Sequence, residues 1–526
     1  MKQLQGLDNV FVSMERADAP VHIGSILIYD PSTAEGGFVR FKDILSFIEN
    51  RLHMSDTMRQ KLVKVPFGID YPYWVQDSRF DIEYHVRHIA LPKPGDWRQL
   101  CIQSARIFAR PLDLSRPPWE ITVVEGLDNI PGVPKGSYAM LTKVHHAAID
   151  GVSGIDMMNA THAMTSNVDE PLPRDNWRPE ADPSQTGMFA RGLLSNMINP
   201  IRQANAARRS LPGAVRAAKG LIKKDFDFNA LIKAPNTRFN GTVSPHRMFD
   251  AKTFMLSDIK GIRALAKDSK LNDVMLSIVG GAMRKYLEHY NDLPDSSMTA
   301  MAPISVRDDS EKNTMGNQVS AMFVPLGSHI ASARERLRFV TEETVRAKNF
   351  TGAMGARQMT EMAKLAPAAM MNIGAKLYSQ FKLADLVKPV INTVVTNVPG
   401  PPVPIYSTGA RLVSMHGMLC LVDGVKLGHV VHSYTDEVSL AFTACRSAIP
   451  DPDFYSDCIQ ASFEEHLAEV KALKTEAKTT SVKKVAAKKA AKANTARKSI
   501  KTEKTLSTST AKPDAKAKTN GTAKKQ

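Results

Sequence analysis

The sequence predicts an α/β protein of two domains. A chain of 526 residues is too long for a single core. Strand-like and helical stretches alternate from the N-terminus to about residue 180, and the alternation resumes after residue 245, beyond a proline-rich and then basic segment. The expected division is 1–180 for the first domain, 181–245 for a connector, 246–470 for the second domain and 471–526 for a tail.

In the first domain, residues 23–29, 121–125 and 138–146 are apolar and β-branched enough to read as strands, while 41–52, 97–108 and 152–165 have helical spacing. Proline and charge at 170–178 mark the exit. Residues 185–224 contain no acid, and Arg191, Arg202, Arg208 and Arg209 interleave with Met188, Phe189, Leu193 and Leu194. Such a basic amphipathic connector suits either an anionic bilayer surface or a crossover helix with a solvated basic face. In the second domain, 249–256 reads as a strand, 257–268 as a helix opened by Ser257, and 271–290 as a long helix. Asn272 and Asp273 stand at the start of that helix, where side-chain oxygens cap free N–H groups. Residues 352–386 are rich in Met and Ala, fitting plain core or the lining of a tunnel. Residues 394–402 join a strand to a rigid turn, and 428–433 with 438–443 alternate as a hairpin.

The net charge of +16 suggests nucleic-acid binding until it is located. Residues 471–526 hold 17 basic and three acidic residues, leaving 52 basic and 50 acidic in a nearly neutral body. The tail has too little apolar surface to offset its chain entropy, so disorder is expected there. It suits an anionic membrane or lipid-droplet surface ahead of nucleic acid, with a solvated tail lacking a specific partner as the plain alternative. No apolar run approaches the roughly 20 residues that cross a bilayer, and no charged-then-apolar leader opens the chain, so the expected location is cytoplasmic. Cys101, Cys420, Cys445 and Cys458 have no metal spacing and are expected to be buried thiols.

The most informative segment is His145-His146-Ala147-Ala148-Ile149-Asp150-Gly151. It follows the strand-like run 138–144, in which alternation puts His146 on the side of Val144, Thr142 and Met140 while His145 points the other way. A neutral imidazole in a cleft can take the proton of an alcohol as its oxygen attacks a carbonyl. Polar punctuation of a strand end is the plain alternative. A metal is not expected, because adjacent histidines diverge and neither HExxH nor CxxC accompanies them.

This HHxxxDG pattern resembles the signature of the CoA-dependent acyltransferase superfamily. Further blocks narrow the resemblance to the bacterial wax ester synthase/diacylglycerol acyltransferase family: Leu7-Asp8-Asn9-Val10-Phe11, Pro20-Val21-His22-Ile23-Gly24, Phe80-Asp81-Ile82-Glu83-Tyr84-His85, Pro111-Leu112-Asp113, Leu271-Asn272-Asp273-Val274 and Asn397-Val398-Pro399-Gly400-Pro401. The resemblance spans nearly all of residues 1–470. One block departs from it: Pro117-Pro118-Trp119 stands where the family carries Pro-Leu-Trp, stiffening the loop and removing a backbone donor.

The resemblance implies a chloramphenicol acetyltransferase-like fold with a substrate channel between the domains. It implies an acyl-CoA-dependent O-acyltransferase that makes neutral storage lipids, either triacylglycerol from diacylglycerol or wax esters from long-chain fatty alcohols, with no cofactor beyond the long-chain acyl-CoA substrate. His146 would be the general base, with no acyl-enzyme, since no GxSxG motif occurs in a fitting context. Asp150 would turn from the cleft to pair with an arginine, for which Arg307 is the candidate; His145 and Gly151 would be structural, and Asn272 would orient the acceptor or stabilise an oxyanion. The inner face of the membrane or a lipid droplet is the implied location. Two alternatives stand beside this reading: the same fold with another acceptor, such as a polyketide or an amine, and a non-catalytic lipid-surface protein.

Overall fold

The computed structural model describes residues 1–4, 6–149, 151–167, 175, 177–178, 181–195, 197, 234–305, 319–354 and 382–476. The first half contributes β1 (His22–Asp30), β2 (Val86–Ala90), β3 (Trp119–Glu125) and β4 (Tyr138–His145). The second contributes β5 (Arg247–Met255), β6 (Thr299–Ser305), β7 (Val319–Pro325), β8 (Thr393–Pro399), β9 (Tyr406–Ser407), β10 (Ala410–Met418), β11 (Leu427–Tyr434) and β12 (Glu437–Cys445). The helices that matter below are α1 (Gly6–Met14), α2 (Trp97–Phe108), α3 (Gly151–Thr161), α4 (Leu271–His289) and α5 (Ala333–Met354).

These strands form two six-stranded mixed sheets, β9-β10-β1-β4-β3-β2 and β7-β6-β8-β11-β12-β5. Alternation in β1 and β4 divides their apolar residues between two cores. Leu27, Met140 and Val144 join Trp119 on one face, while Ile26, Ile28, Ala139 and Leu141 meet Leu100, Ala105 and Phe108 of α2 on the other. The α2 layer also reaches Phe249 and Ala251 of the second sheet, and Trp97 Nε1 donates to Asp250 Oδ1 at 2.7 Å. Residues 1–467 make one compact unit, and 468–526 cluster separately.

Most elements lie where the sequence places them, with differences that have local causes. β9 and β10, from the second half, complete the first sheet by antiparallel pairing of Ala410–Met418 with β1, so that sheet is not built from residues 1–180 alone. The helix expected from Ser257 begins at Leu256 without a side-chain cap, and its first N–H donates to Asp436 O at 2.8 Å. At α4, Asp273 does the capping, accepting from Lys270 N at 2.8 Å. The two prolines before Trp119 both serve as acceptors: Pro117 O accepts from Trp119 N at 2.8 Å and Pro118 O from His145 N at 2.9 Å. Asp175 and Trp177, in the expected domain exit, return to the first half through Arg59 (2.8 Å) and Gln76 (2.9 Å). Asp150, Arg307, residues 198–224 of the connector, 355–381 of the Met/Ala-rich stretch and 477–526 of the tail lie outside the described residues.

Buried imidazoles are frequent in this core. Burial lowers His162, His416 and His432 to about 4 and His429 and His466 to about 3, and holds His22 well below the ordinary histidine value. The unfolded chain, with histidines near ~6.5, therefore binds more protons than the native state between that value and these lowered ones. Stability is complete above about pH 6.5 and is lost as pH falls through this window, by roughly 1.4 kcal/mol per pH unit for each such group. The melting temperature is expected to drop by several degrees from pH 7.5 to 5.5, with proton uptake on unfolding by calorimetry; equal melting temperatures at the two values would contradict it.

Candidate active site

β4 ends at His145, and the chain turns into a 3₁₀ segment, His146–Ala148, before α3. His145 is buried on the α2 side, opposite His22 in the β1–β4 register. Its Nδ1 accepts from Ala147 N at 3.1 Å, which leaves the Nε2 proton facing Glu15 Oε2 at 3.5 Å. The ring therefore fastens the turn through Nδ1, and its Nε2 makes no hydrogen bond among the described residues. His146 takes the other face, as alternation predicts, with its N–H donating to Val21 O at 3.0 Å.

The His146 ring stacks on Phe11 of α1 with centroids 4.1 Å apart. Its Nδ1 has no hydrogen-bond partner among the described residues. Burial lowers its pKa to about 4; its own main chain counters the shift and His145 adds to it, so the imidazole is neutral at physiological pH.

That ring forms part of the wall of a cavity of about 380 Å³ between the two sheets. Register explains its first wall, because Ile23, Val144 and Trp119 are cross-strand neighbours, as are Ser25, Thr142 and Ile121. α3 adds Gly154 and Met157, and the second sheet adds Thr396 and Val398 from β8 with Val430 and His432 from β11. The lining is chiefly apolar, with a few polar groups, the composition of a site for a hydrophobic ligand with one reacting end.

Two further histidines line this cavity, although the sequence pattern marked neither. His162 is fully satisfied: its Nδ1 donates to Met158 O (3.1 Å), so Nε2 accepts from the Tyr29 hydroxyl (2.7 Å). His432 is buried, and its Nδ1 lacks a partner among the described residues. Its i, i+2 relation to Val430 in a recognisable strand was the available signal, but which face of β11 meets the cavity depends on the sheet pairing. Asn272 sits half-buried in the first turn of α4 and is not among the residues lining the cavity. Gly151 opens α3, and Asp150 and Arg307 are outside the described residues. Among the described residues no group of three metal-ligating side chains converges, and no helix is long and apolar enough to cross a membrane.

Comparison with known proteins agrees with this architecture. Residues 4–275 match the model of the wax ester synthase/diacylglycerol acyltransferase catalytic domain, and 315–466 match that of the C-terminal domain of the same family. A Mycobacterium tuberculosis protein named as a diacylglycerol O-acyltransferase is 30% identical over 471 residues, 88% of this chain and 98% of its own. The O-acyltransferase WSD of Acinetobacter baylyi is 27% identical over 463 residues, 86% of this chain and 93% of its own. Among solved structures, the wax ester synthase/diacylglycerol acyltransferase from Marinobacter aquaeolei VT8 shares the fold with a TM-score of 0.62 at 22% identity, covering 90% of this chain and 100% of that one. The first condensation domain of the calcium-dependent antibiotic synthetase shares it more distantly, with a TM-score of 0.53 at 13% identity over 89% and 95% of the two chains. With its catalytic-domain match covering the HHxxxDG segment and its C-terminal-domain match covering the second wall of the cavity, the chain belongs to the wax ester synthase/diacylglycerol acyltransferase family.

Proposed function

We propose that His146 is the general base of direct acyl transfer from a long-chain acyl-CoA to the hydroxyl of a fatty alcohol or a diacylglycerol. The chain is an acyltransferase by family; what supports this assignment of roles is a neutral imidazole on the wall of an apolar cavity. The acceptor hydroxyl gives its proton to His146 as its oxygen attacks the thioester carbonyl. The carbon–sulfur bond then breaks, and the imidazolium returns the proton to the departing CoA thiolate. The Phe11 stack fixes the ring, and the apolar walls exclude water that would hydrolyse the thioester.

Lipid substrates have to be collected from a surface. The described start of the connector supports that placement: Met188 is buried, while Leu193, Leu194 and Met197 are exposed beside Arg191, near the exposed Phe67 that meets Phe189 edge-on. The basic tail would add attraction to an anionic membrane or a lipid droplet.

Incubated with palmitoyl-CoA and hexadecanol or a diacylglycerol, the protein is expected to release CoA and form ester, and His146→Ala is expected to lose about 10²- to 10⁴-fold in kcat. Release indifferent to His146 would overturn the assignment. The comparison of acceptors names the product. The pH profile gives a second check: with the His146 pKa at about 4, kcat/KM is expected to stay level from pH 8 to pH 5 and to fall only near the lowered value. An acidic limb centred at or above the ordinary histidine value would contradict a buried, neutral base.

A further inference from the structure

Behind the strand end that carries His146 lies a second cavity of about 400 Å³, open to solvent and lined by five arginines with no carboxylate among its walls. One wall is the face of α2 that carries Arg98, Ile102, Ala105 and Arg106 at helical spacing, continued by Arg110. The other is the start of β5, the outer strand of the second sheet, with Arg446 beside it through the bond from Arg446 N to His246 O at 3.0 Å.

The arginines differ in how they are held. Arg247 is buried and fixed, donating to Ser244 O and, at 3.0 Å, to Asp18 O. Arg98 approaches Asp453 at 3.5 Å on the rim. Arg106, Arg110 and Arg446 are exposed and make no ion pair among the described residues. Guanidinium groups that share a cleft whose walls carry no carboxylate leave it positively charged. Planar guanidinium forks converging on an open cleft match phosphate oxygens.

The position also fits. Lys143, whose neighbours Thr142 and Val144 line the His146 cavity, sends its Nζ to Arg110 O (2.9 Å) and Ile107 O (3.4 Å), and His22 donates to Phe108 O at 2.5 Å. The end of α2 is thereby tied to β1 and to β4, the strand that ends at His145 and leads into His146. Resting on the acyl-CoA reading above, the geometry points to this cleft as the seat of the nucleotide phosphates of the acyl donor, held by Arg106, Arg110 and Arg446 with Arg247 as a fixed base. From this seat the pantetheine arm would have to round the end of β4 to present its thioester to His146. A phospholipid headgroup offers the same phosphate chemistry, and the test separates the two.

The variant is Arg106→Gln with Arg110→Gln and Arg446→Gln, three exposed positions whose removal leaves the core untouched. The readout is the ratio of kcat/KM for palmitoyl-CoA to that for S-palmitoyl-pantetheine, which lacks the nucleotide. The ratio is expected to fall about tenfold or more in the variant through the KM for palmitoyl-CoA, since each charge-assisted contact to phosphate is strong. Calorimetry with adenosine 3′,5′-bisphosphate is expected to give binding to the wild type that the variant loses. This arm needs no turnover, so it judges the cleft even where the acyltransferase reading fails. An unchanged ratio, or bisphosphate binding that the variant retains, would overturn the inference. So would phosphatidylglycerol vesicle binding that the variant loses while bisphosphate binding stays intact.

Discussion

An antiparallel pairing, Ala410–Met418 against His22–Asp30, joins the two halves of the molecule, and the cavity beside His146 depends on it. Within eight residues of leaving β10 in the first sheet, the chain enters β11 in the second, which sets how far apart the sheets can lie. The close approach is visible at Gly417: a Cβ there would come within 2.4 Å of Val430 and 2.6 Å of His432, so glycine is what admits both side chains toward the cavity. Had β10 paired within the second sheet, the wall made of β1, β3 and β4 would have had no fixed opposite face.

The same enclosure sets the chemistry. Taking imidazoles out of water disfavours their charged forms, which keeps His146 in its proton-accepting state well below neutral pH and also makes the fold sensitive to acid. The two histidines of the motif divide the work through strand alternation. His145 uses its Nδ1 to hold the turn, and His146 lies on the wall of the cavity. Lys143 links this strand end to the arginine-lined cleft, so one strand organises both the reacting end and the proposed nucleotide seat of the donor.

Local sequence was a good guide wherever one element's own periodicity decided its place. α2 has the expected ends, β4 differs by one residue, and the β11–β12 hairpin pairs as its alternation implies. The opposite facing of His145 and His146 also followed from a period of two. What the sequence concealed depends on long-range pairing. β10 is not among the strands expected from the sequence, and nothing in residues 410–418 says that its partner lies nearly 400 residues earlier. His432 joins the site only because that pairing exists, and the choice of Asp273 over Asn272 as the cap of α4 is decided by a single turn of backbone geometry.

The most direct test of the central claim, that the inter-sheet cavity holds the acyl chain beside His146, is the chain-length profile of Gly154→Leu. Gly154 lines the cavity from within α3, and a Cβ there meets, among the described residues, only Ile149 at an ordinary 3.5 Å, so a leucine adds bulk at the cavity and suits the helix. The account predicts a folded variant in which transfer from palmitoyl-CoA falls about tenfold or more relative to transfer from a short-chain acyl-CoA, the order expected when bulk enters a hydrophobic pocket. A profile identical to that of the wild type would contradict it.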